Sequence, residues 1–244
     1  MDFKSYIINA DCFDEFKNIK DNTVDLVCVD LPYGQTACKW DTVIDLDKMW
    51  IELKRIGKDK TIYVFFCTTR FGHTIISSNK KWFRYDLIWS KSKSVGFLNA
   101  NNMPLRKHEM IYVFYKKKGT YNPQKTKGKP YKTKGKGTVG VYNSKRTDSV
   151  NKGDRHPLSI LEFKSPQRTK HKTQKPVDLL EWIIKSYSNE NDIVLDFTMG
   201  SGSTIKACIK NNRKYIGIEK DKKIYETTKS DIFNDGDVVV INKQ

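Results

Sequence analysis

The chain has 244 residues, 38% of them hydrophobic and 12% aromatic, enough for one large core and too apolar for a disordered polymer. Its 45 Lys and Arg against 28 Asp and Glu leave a formal charge of +17, which points to a polyanion, nucleic acid ahead of an acidic membrane surface. The longest strongly apolar run, Thr61 to Cys67, is too short for a membrane span, and the five cysteines include no Cys-x-x-Cys pair that would suggest a disulfide framework or zinc site. The first residues lack the basic start and apolar stretch of a signal peptide, so a reducing cytoplasm is the expected location.

In chain order, an apolar run predicts a strand over Val24 to Asp30, stopped by Pro32. Asp45 to Ile56 reads as a crossover helix, Thr61 to Cys67 as a strand, and Arg70 to Ser78 as a second helix. Further strands are expected over Tyr85 to Trp89 and Met110 to Tyr115. After a long basic stretch, Val177, Leu180, Ile183, Ile184 and Tyr187 carry helical spacing within Pro176 to Tyr187. A strand over Asp192 to Phe197, a glycine turn, a helix from Thr204 to Lys210 and a strand over Tyr215 to Glu219 complete the pattern. Near-continuous apolar strands alternating with helices predict an α/β fold: a doubly wound, parallel, Rossmann-like sheet covered on both faces.

The charge is not evenly spread. Residues 116–175 hold 18 Lys and Arg against three acids, a net of +15, and the rest of the chain nets only +2. Gly and Pro break this segment and Tyr121, Tyr131 and Tyr142 punctuate it, so no long helix or regular strand is expected there. It reads as a nucleic-acid arm, lysines on phosphates and tyrosines on bases or sugars, although a solvated loop would have the same composition. The candidate DNA contacts are Lys127, Lys129, Tyr131, Lys132, Lys134, Lys136, Lys145, Arg146 and Arg155. The expected organisation is 1–115 for the catalytic part of a core, 116–169 for the basic insert and 170–244 for a cofactor-binding part.

Strand, Gly200-x-Gly202 and helix form a ligand turn, with Glu219 ending the next strand at the spacing that suits a ribose. Ile205 replaces the third glycine of a dinucleotide fingerprint, and no Lys follows the loop as in a phosphate-binding P-loop. Asp196 at the strand end would repel a pyrophosphate but suits an ammonium group. S-adenosylmethionine has an ammonium, a sulfonium, a ribose and no phosphate. At the other end of the chain, Asp30, the Leu31 carbonyl and Tyr33 offer two acceptors and a flat face. An aromatic exocyclic amine is a poor nucleophile because its lone pair is delocalised. Two acceptors on its hydrogens would draw it towards tetrahedral geometry.

Together these motifs resemble those of the amino-directed DNA methyltransferases in their β-type circular permutation, in which the catalytic motif precedes the cofactor motif. Asp30-Leu31-Pro32-Tyr33 is similar to the family's Asp-Pro-Pro-Tyr, and Asp192 to Thr204 to its glycine-rich motif. His171-x-Thr173-Gln174-Lys175-Pro176 resembles the segment along the cofactor's methionine end, and Asp11-Cys12 the element near its adenine. Trp89-Ser-Lys91 and His108-Glu109 resemble motifs flanking the target-base pocket. The resemblance implies catalysis by Asp30, Leu31, Pro32 and Tyr33. It also implies S-adenosylmethionine binding by Asp11, Cys12, Asp30, His171, Thr173, Gln174, Lys175, Asp196, Phe197, Met199, Gly200, Ser201, Gly202, Ser203, Thr204, Glu219 and Lys220, with no metal. Phe197-Thr198 replaces the family's usual Pro-Phe, which leaves open which aromatic packs on the cofactor.

The implied activity is site-specific N6-methylation of a flipped adenine in duplex DNA, with N4-methylation of cytosine as the alternative. A non-catalytic nucleic-acid-binding protein of the same fold is the rival from another class. Carbon-5 cytosine methylation is disfavoured because no proline is followed by cysteine, and zinc deamination because its His-x-Glu and Pro-Cys-x-x-Cys signatures are missing. Duplex DNA is the expected partner; a homodimer and a cognate restriction endonuclease stay open, as does a bacterial or phage source.

Overall fold

The computed structural model describes residues 3–35, 42–135, 138–139, 144–145, 147–167 and 174–234. Of the candidate residues, Lys136, Arg146, His171 and Thr173 lie outside the described residues, and Lys145 is described by its backbone alone. The chain divides into two compact units, one of residues 1–122 with 159–244 and one of residues 123–158.

The larger unit begins with β1 (Tyr6–Asn9), α1 (Cys12–Phe16), β2 (Val24–Asp30), α2 (Leu46–Ile56), β3 (Gly57–Cys67), α3 (Thr69–Ser78), β4 (Phe83–Val95) and β5 (Arg106–Phe114). The smaller unit has β6 (Thr126–Lys127), β7 (Tyr131–Thr133), β8 (Thr138–Val139), β9 (Ser144–Lys145), β10 (Ser149–Asn151) and β11 (Asp154–Arg155). The larger unit resumes with β12 (Ile160–Phe163), α4 (Val177–Tyr187), β13 (Ile193–Asp196), α5 (Ser203–Lys210), β14 (Lys214–Glu219) and α6 (Lys222–Asn234). Its sheet has eight strands in the order β1-β14-β13-β2-β3-β5-β4-β12.

Local chemistry sets the helix starts. Asp45 caps α2 by accepting from the Lys48 amide, and Thr68 caps α3 by accepting from Phe71. Within α2, Met49, Trp50, Leu53 and Ile56 fall on one face at helical spacing and are buried. The side chains of β2 divide between two cores. Leu26 and Cys28 pack with Leu180 and Ile183 of α4 and Ile205 of α5, while Val27 and Val29 pack with Phe16, Trp50, Leu53 and Ile75 of α1 to α3. Helices therefore cover both faces, as the apolar strands imply. Trp50 anchors the second core, with ring centroids 5.4–6.1 Å from Tyr63, Phe65, Trp82 and Phe114.

Two expectations are corrected. The sheet is mostly but not wholly parallel: β5 runs antiparallel to both β3 and β4. The reason is the connection, since the short span from Val95 to Arg106 cannot hold the crossover that a parallel neighbour needs. The basic segment also contains one regular sheet strand, because β12 pairs in parallel with β4 through Ile160↔Ile88 to Phe163↔Lys91. Leu161 on that strand is buried in the first core, and this apolar contact outweighs the polar composition around it.

Among its described residues the smaller unit has three two-stranded antiparallel ribbons, β7 with β10, β6 with β11 and β8 with β9. Gly153 holds a φ of 106°, and a Cβ there would lie 2.5 Å from the Gly128 carbonyl. The Gly128 amide bonds the Gly153 carbonyl at 2.7 Å, so only glycine permits this close backbone crossing.

Candidate active site

Ligands of open α/β sheets bind beyond the carboxyl ends of the strands. β2 ends in Asp30, and both of its carboxylate oxygens are engaged. Oδ1 accepts from the Tyr33 hydroxyl, and Oδ2 is paired with the Lys175 ammonium. Lys175 also lies 3.4 Å from Glu109 Oε2, and Glu109 Oε1 pairs with Lys91. The result is a line of alternating charge, Asp30–Lys175–Glu109–Lys91, drawn from β2, the segment before α4, β5 and β4. Aromatic faces support both cations: Lys175 stands 5.1 Å from the Phe66 ring and Lys91 5.0 Å from Trp89.

Pairing decides the charge states. Burial works against a charged Lys175, but Asp30 and Glu109 outweigh it and hold its pKa above the ordinary lysine value. Burial likewise opposes a charged Glu109, and Lys175 with Lys91 overcomes it, keeping its pKa below the usual carboxylate value. For Tyr33, burial and the Asp30 and Glu109 charges act together and push the phenol well above its ordinary pKa, so it is a neutral donor. Its ring packs 5.3 Å from Phe71. The Thr198 hydroxyl donates to the Asp30 carbonyl at 3.1 Å, tying the end of β2 to the loop after β13. The Leu31 side chain is buried in the second core and Pro32 is half-buried.

The glycine loop follows β13. Asp196 is buried and accepts from the Thr198 amide at 3.1 Å, with Thr204 as a second partner. Burial pushes its pKa up to about 7, because no cation pairs with it among the described residues. Glu219, at the end of β14, accepts from the Gly200 amide at 3.0 Å and the Asp221 amide at 2.8 Å, and burial raises its pKa too. Gly200 and Gly202 both hold left-handed φ, 48° and 69°. They differ in what a side chain would meet. A Cβ at Gly202 would strike Thr228 of α6 at 2.6 Å, so that glycine serves packing; at Gly200 nothing lies nearer than 3.9 Å, so the loop is open there to an approaching ligand. Two acids short of counter-charge among the described residues, beside open backbone, suit a ligand with a cation and hydroxyls and repel a pyrophosphate. S-adenosylmethionine fits that set.

Other candidate residues gather around the same strand ends. Asp11 caps α1 through the Phe13 amide and pairs with Lys220 at 3.0 Å, while Asn9 donates to the Glu219 and Lys220 carbonyls. Cys12 opens α1 with its thiol pushed up to about 12, chiefly by burial, which keeps it protonated. Ser201 and Ser203 share a hydroxyl bond of 3.1 Å, and Gln174 is half-buried beside Lys175 in sequence. Phe197 and Met199 face inwards instead. The Phe197 ring packs edge-on to Phe16 at 5.2 Å, and the Met199 sulfur lies 2.7 Å from where a Cβ on Gly217 would be.

In the smaller unit Lys129, Tyr131, Lys132 and Lys134 are exposed. Lys127 pairs with Asp154 at 2.7 Å. Arg155 is committed internally: it donates to the Lys129 carbonyl and the Asn151 amide oxygen, and its guanidinium lies 4.8 Å from the Tyr131 ring.

Lys91 and Glu109 entered the sequence reading only as parts of motifs and not as site residues, yet they complete the charge line. The available signal was a charge beside each apolar run, Lys91 two residues after Trp89 and Glu109 directly before Met110.

Known proteins resemble this chain in sequence and in fold. The chain is 29% identical over 241 residues to the type II methyltransferase M1.MboII of Moraxella bovis, covering 87% of this chain and 90% of that protein. It is 28% identical over 258 residues to M.HinfI of Haemophilus influenzae, covering 91% of this chain and 66% of that protein. Among solved structures, the M1.HpyAVI–SAM complex superposes with a TM-score of 0.62 at 28% identity, over 93% of this chain and 98% of that one. The PvuII cytosine-N4 methyltransferase shares the fold, with a TM-score of 0.65 at 12% identity over 100% of this chain and 97% of that one. The sequence pattern of the DNA methylase family, N6/N4 methyltransferases, matches residues 24–230, and this chain belongs to that family.

Proposed function

We propose that the chain transfers a methyl group from S-adenosyl-L-methionine to the N6 amine of an adenine turned out of duplex DNA. The observation that carries this reading is Asp30: a carboxylate at a sheet-strand end, held by donors on both oxygens, beside a phenol kept neutral. S-adenosyl-L-methionine is the cofactor and supplies an electrophilic methyl on a sulfonium. Asp196 and Glu219 would hold its ammonium and ribose, and the open backbone at Gly200 gives it room.

The residues of the chain do the rest by position and polarity. Tyr33 offers its ring to the base. Asp30 and the Leu31 carbonyl accept from the amine hydrogens, and the amine displaces Lys175 from Asp30 Oδ2. Lys175 retains Glu109 as its counter-charge, so it stays compensated while Asp30 works. Asp rather than Ser at position 30 leans towards adenine over cytosine through the family resemblance. In chain order the Asp30 motif precedes the glycine loop, although β2 and β13 are neighbours in the sheet; that supports the permuted arrangement. Residues 116–169 are read as the target-recognition insert, with exposed lysines for phosphate contacts. Duplex DNA is the partner, with a second copy of the chain and a cognate endonuclease as further candidates, and the bacterial cytoplasm is the expected location.

The test is mass spectrometry of nucleosides from unmethylated DNA incubated with the protein and S-adenosylmethionine. N6-methyladenine is expected. N4-methylcytosine would retain the mechanism and change the base, and the absence of both would overturn the reading. Sequencing the modified DNA then identifies the target site.

A further inference from the structure

Twelve large hydrophobic side chains are exposed among the described residues, and five of them fall within residues 95–105: Val95, Phe97, Leu98, Met103 and Leu105. Phe97 is 80% exposed and Leu98 97%. This is the tip of the β4–β5 hairpin, and it is a built turn. Gly96 takes a φ of 91°, which sends the chain into the 3₁₀ turn Phe97–Asn99. Backbone bonds then close the tip: Asn99 to Gly96 at 2.9 Å, Ala100 to Phe97 at 3.0 Å and Met103 to Asn99 at 3.0 Å. A turn closed by these backbone bonds leaves the five side chains exposed. Five such side chains left in water on one tip mark a surface meant to be covered.

Charge and position say by what. Residues 87–108 contain Lys91, Lys93, Arg106 and Lys107 and no acid. Two copies of this tip facing each other would set like charges together, whereas a polyanion complements them. β4 runs in the direction of β2 and β3, so its end and the start of β5 share the sheet edge that carries Asp30. Trp89 pairs with Glu109 in register, and Glu109 reaches Lys175 on Asp30, so the hairpin springs from the wall of the site and extends beyond it.

We propose that Phe97 and Leu98 are a wedge that enters duplex DNA at the target step and takes the space left by the departing base. The inference rests on the functional reading above and names how the site obtains an extrahelical base. Turning a base out loses stacking and pairing. An apolar wedge offsets that loss by burying its own surface against the neighbouring bases, while Lys93, Arg106 and Lys107 beside the tip meet phosphates; Lys91 stays with Glu109.

The experiment compares wild type with the Phe97→Ser/Leu98→Ser double variant, whose sites are too exposed to affect folding. The substrates are two synthetic duplexes carrying the mapped target site, one fully paired and one with the target adenine opposite an abasic residue. On the paired duplex the variant is expected to methylate about tenfold more slowly or worse, and 2-aminopurine at the target to lose its fluorescence rise. On the abasic duplex, where little pairing resists flipping, its rate should return to within about twofold of wild type. Equal loss on both duplexes, or no loss on either, overturns the wedge while wild-type activity preserves the functional reading. Conversion of a sedimenting dimer to monomer with unchanged methylation assigns the tip to a second copy and also overturns it. A wild type that methylates no DNA overturns the functional reading and the wedge with it.

Discussion

Two aspartates end two adjacent strands of one sheet, in opposite electrostatic states. Asp30 on β2 is bound by Tyr33 and by Lys175, which a second carboxylate, Glu109, also holds. Asp196 on β13 is more deeply buried and receives only neutral donors among the described residues, so its pKa rises to about 7. The difference shows that the position of an acid at a strand end does not set its chemistry. A carboxylate compensated in advance can accept from an incoming neutral amine without becoming an isolated buried charge. One that lacks a partner is a vacancy for a cation, and a ligand that brings one gains the pairing.

The sharpest way to break this contrast is at Asp30. Asp30→Ala should lower single-turnover methyl transfer by about a thousandfold or more, with cofactor and DNA binding retained; substantial remaining activity would remove Asp30 from the mechanism. Next is its cation. Lys175→Met leaves two half-buried carboxylates, Asp30 and Glu109, without the cation they share, and thermal unfolding should report a loss of up to about 3 kcal/mol. Part of that loss is pH-dependent. The Glu109 pKa is held below its ordinary 4.5 chiefly by Lys175 and Lys91 against burial, so its stabilising contribution is present above 4.5 and fades as the pH falls through the folded value.

Asp196 has the reverse sign. Its folded pKa lies above its ordinary 3.8, so the stability associated with it is fullest below 3.8 and is lost as the pH rises to about 7. Melting curves of the cofactor-free protein should show this decline, and Asp196→Asn should flatten it. If a cation-bearing ligand binds the ionised form, calorimetry should find S-adenosylmethionine affinity rising about tenfold between about pH 6 and about pH 8. A flat profile would mean that Asp196 binds no cation. The smallest effect is expected at Lys127, whose pair with Asp154 is exposed. Lys127→Ala should change stability by less than about 0.5 kcal/mol, and if Lys127 contacts a phosphate it should reduce the slope of log K against log salt by about 0.9.

Much of this fold was legible in the chain because its evidence is local. Asp45 before an amphipathic run, the strand-length apolar runs ending at Asp30 and Cys67, and Gly200-x-Gly202 between strand and helix each state their structure within a few residues. Elements with weak local signals were missed. β1 is four residues long and α1 five, and both are stabilised by distant partners, β14 for one and Phe197 against Phe16 for the other. β12 was hidden in a basic segment and is held in the sheet by Leu161 and its parallel neighbour β4. The site divided in the same way. Asp30, Tyr33 and Glu219 were readable from motif and spacing, whereas the partnership of Asp30 with Lys175, 145 residues away, was not.

The sequence alone therefore determined the kind of protein: an α/β sheet, a glycine turn between a strand and a helix, an acid at a strand end and a concentration of lysine in one stretch. Tertiary structure alone decided strand direction in the β4–β5 hairpin, the line of charges from Asp30 to Lys91, and the raised pKa of Asp196. The physical reason is one of range. Periodicity, capping and backbone conformation act over a few residues, while desolvation and ion pairing depend on which strands become neighbours and how far water is removed, and neither is defined until the sheet has closed over its core.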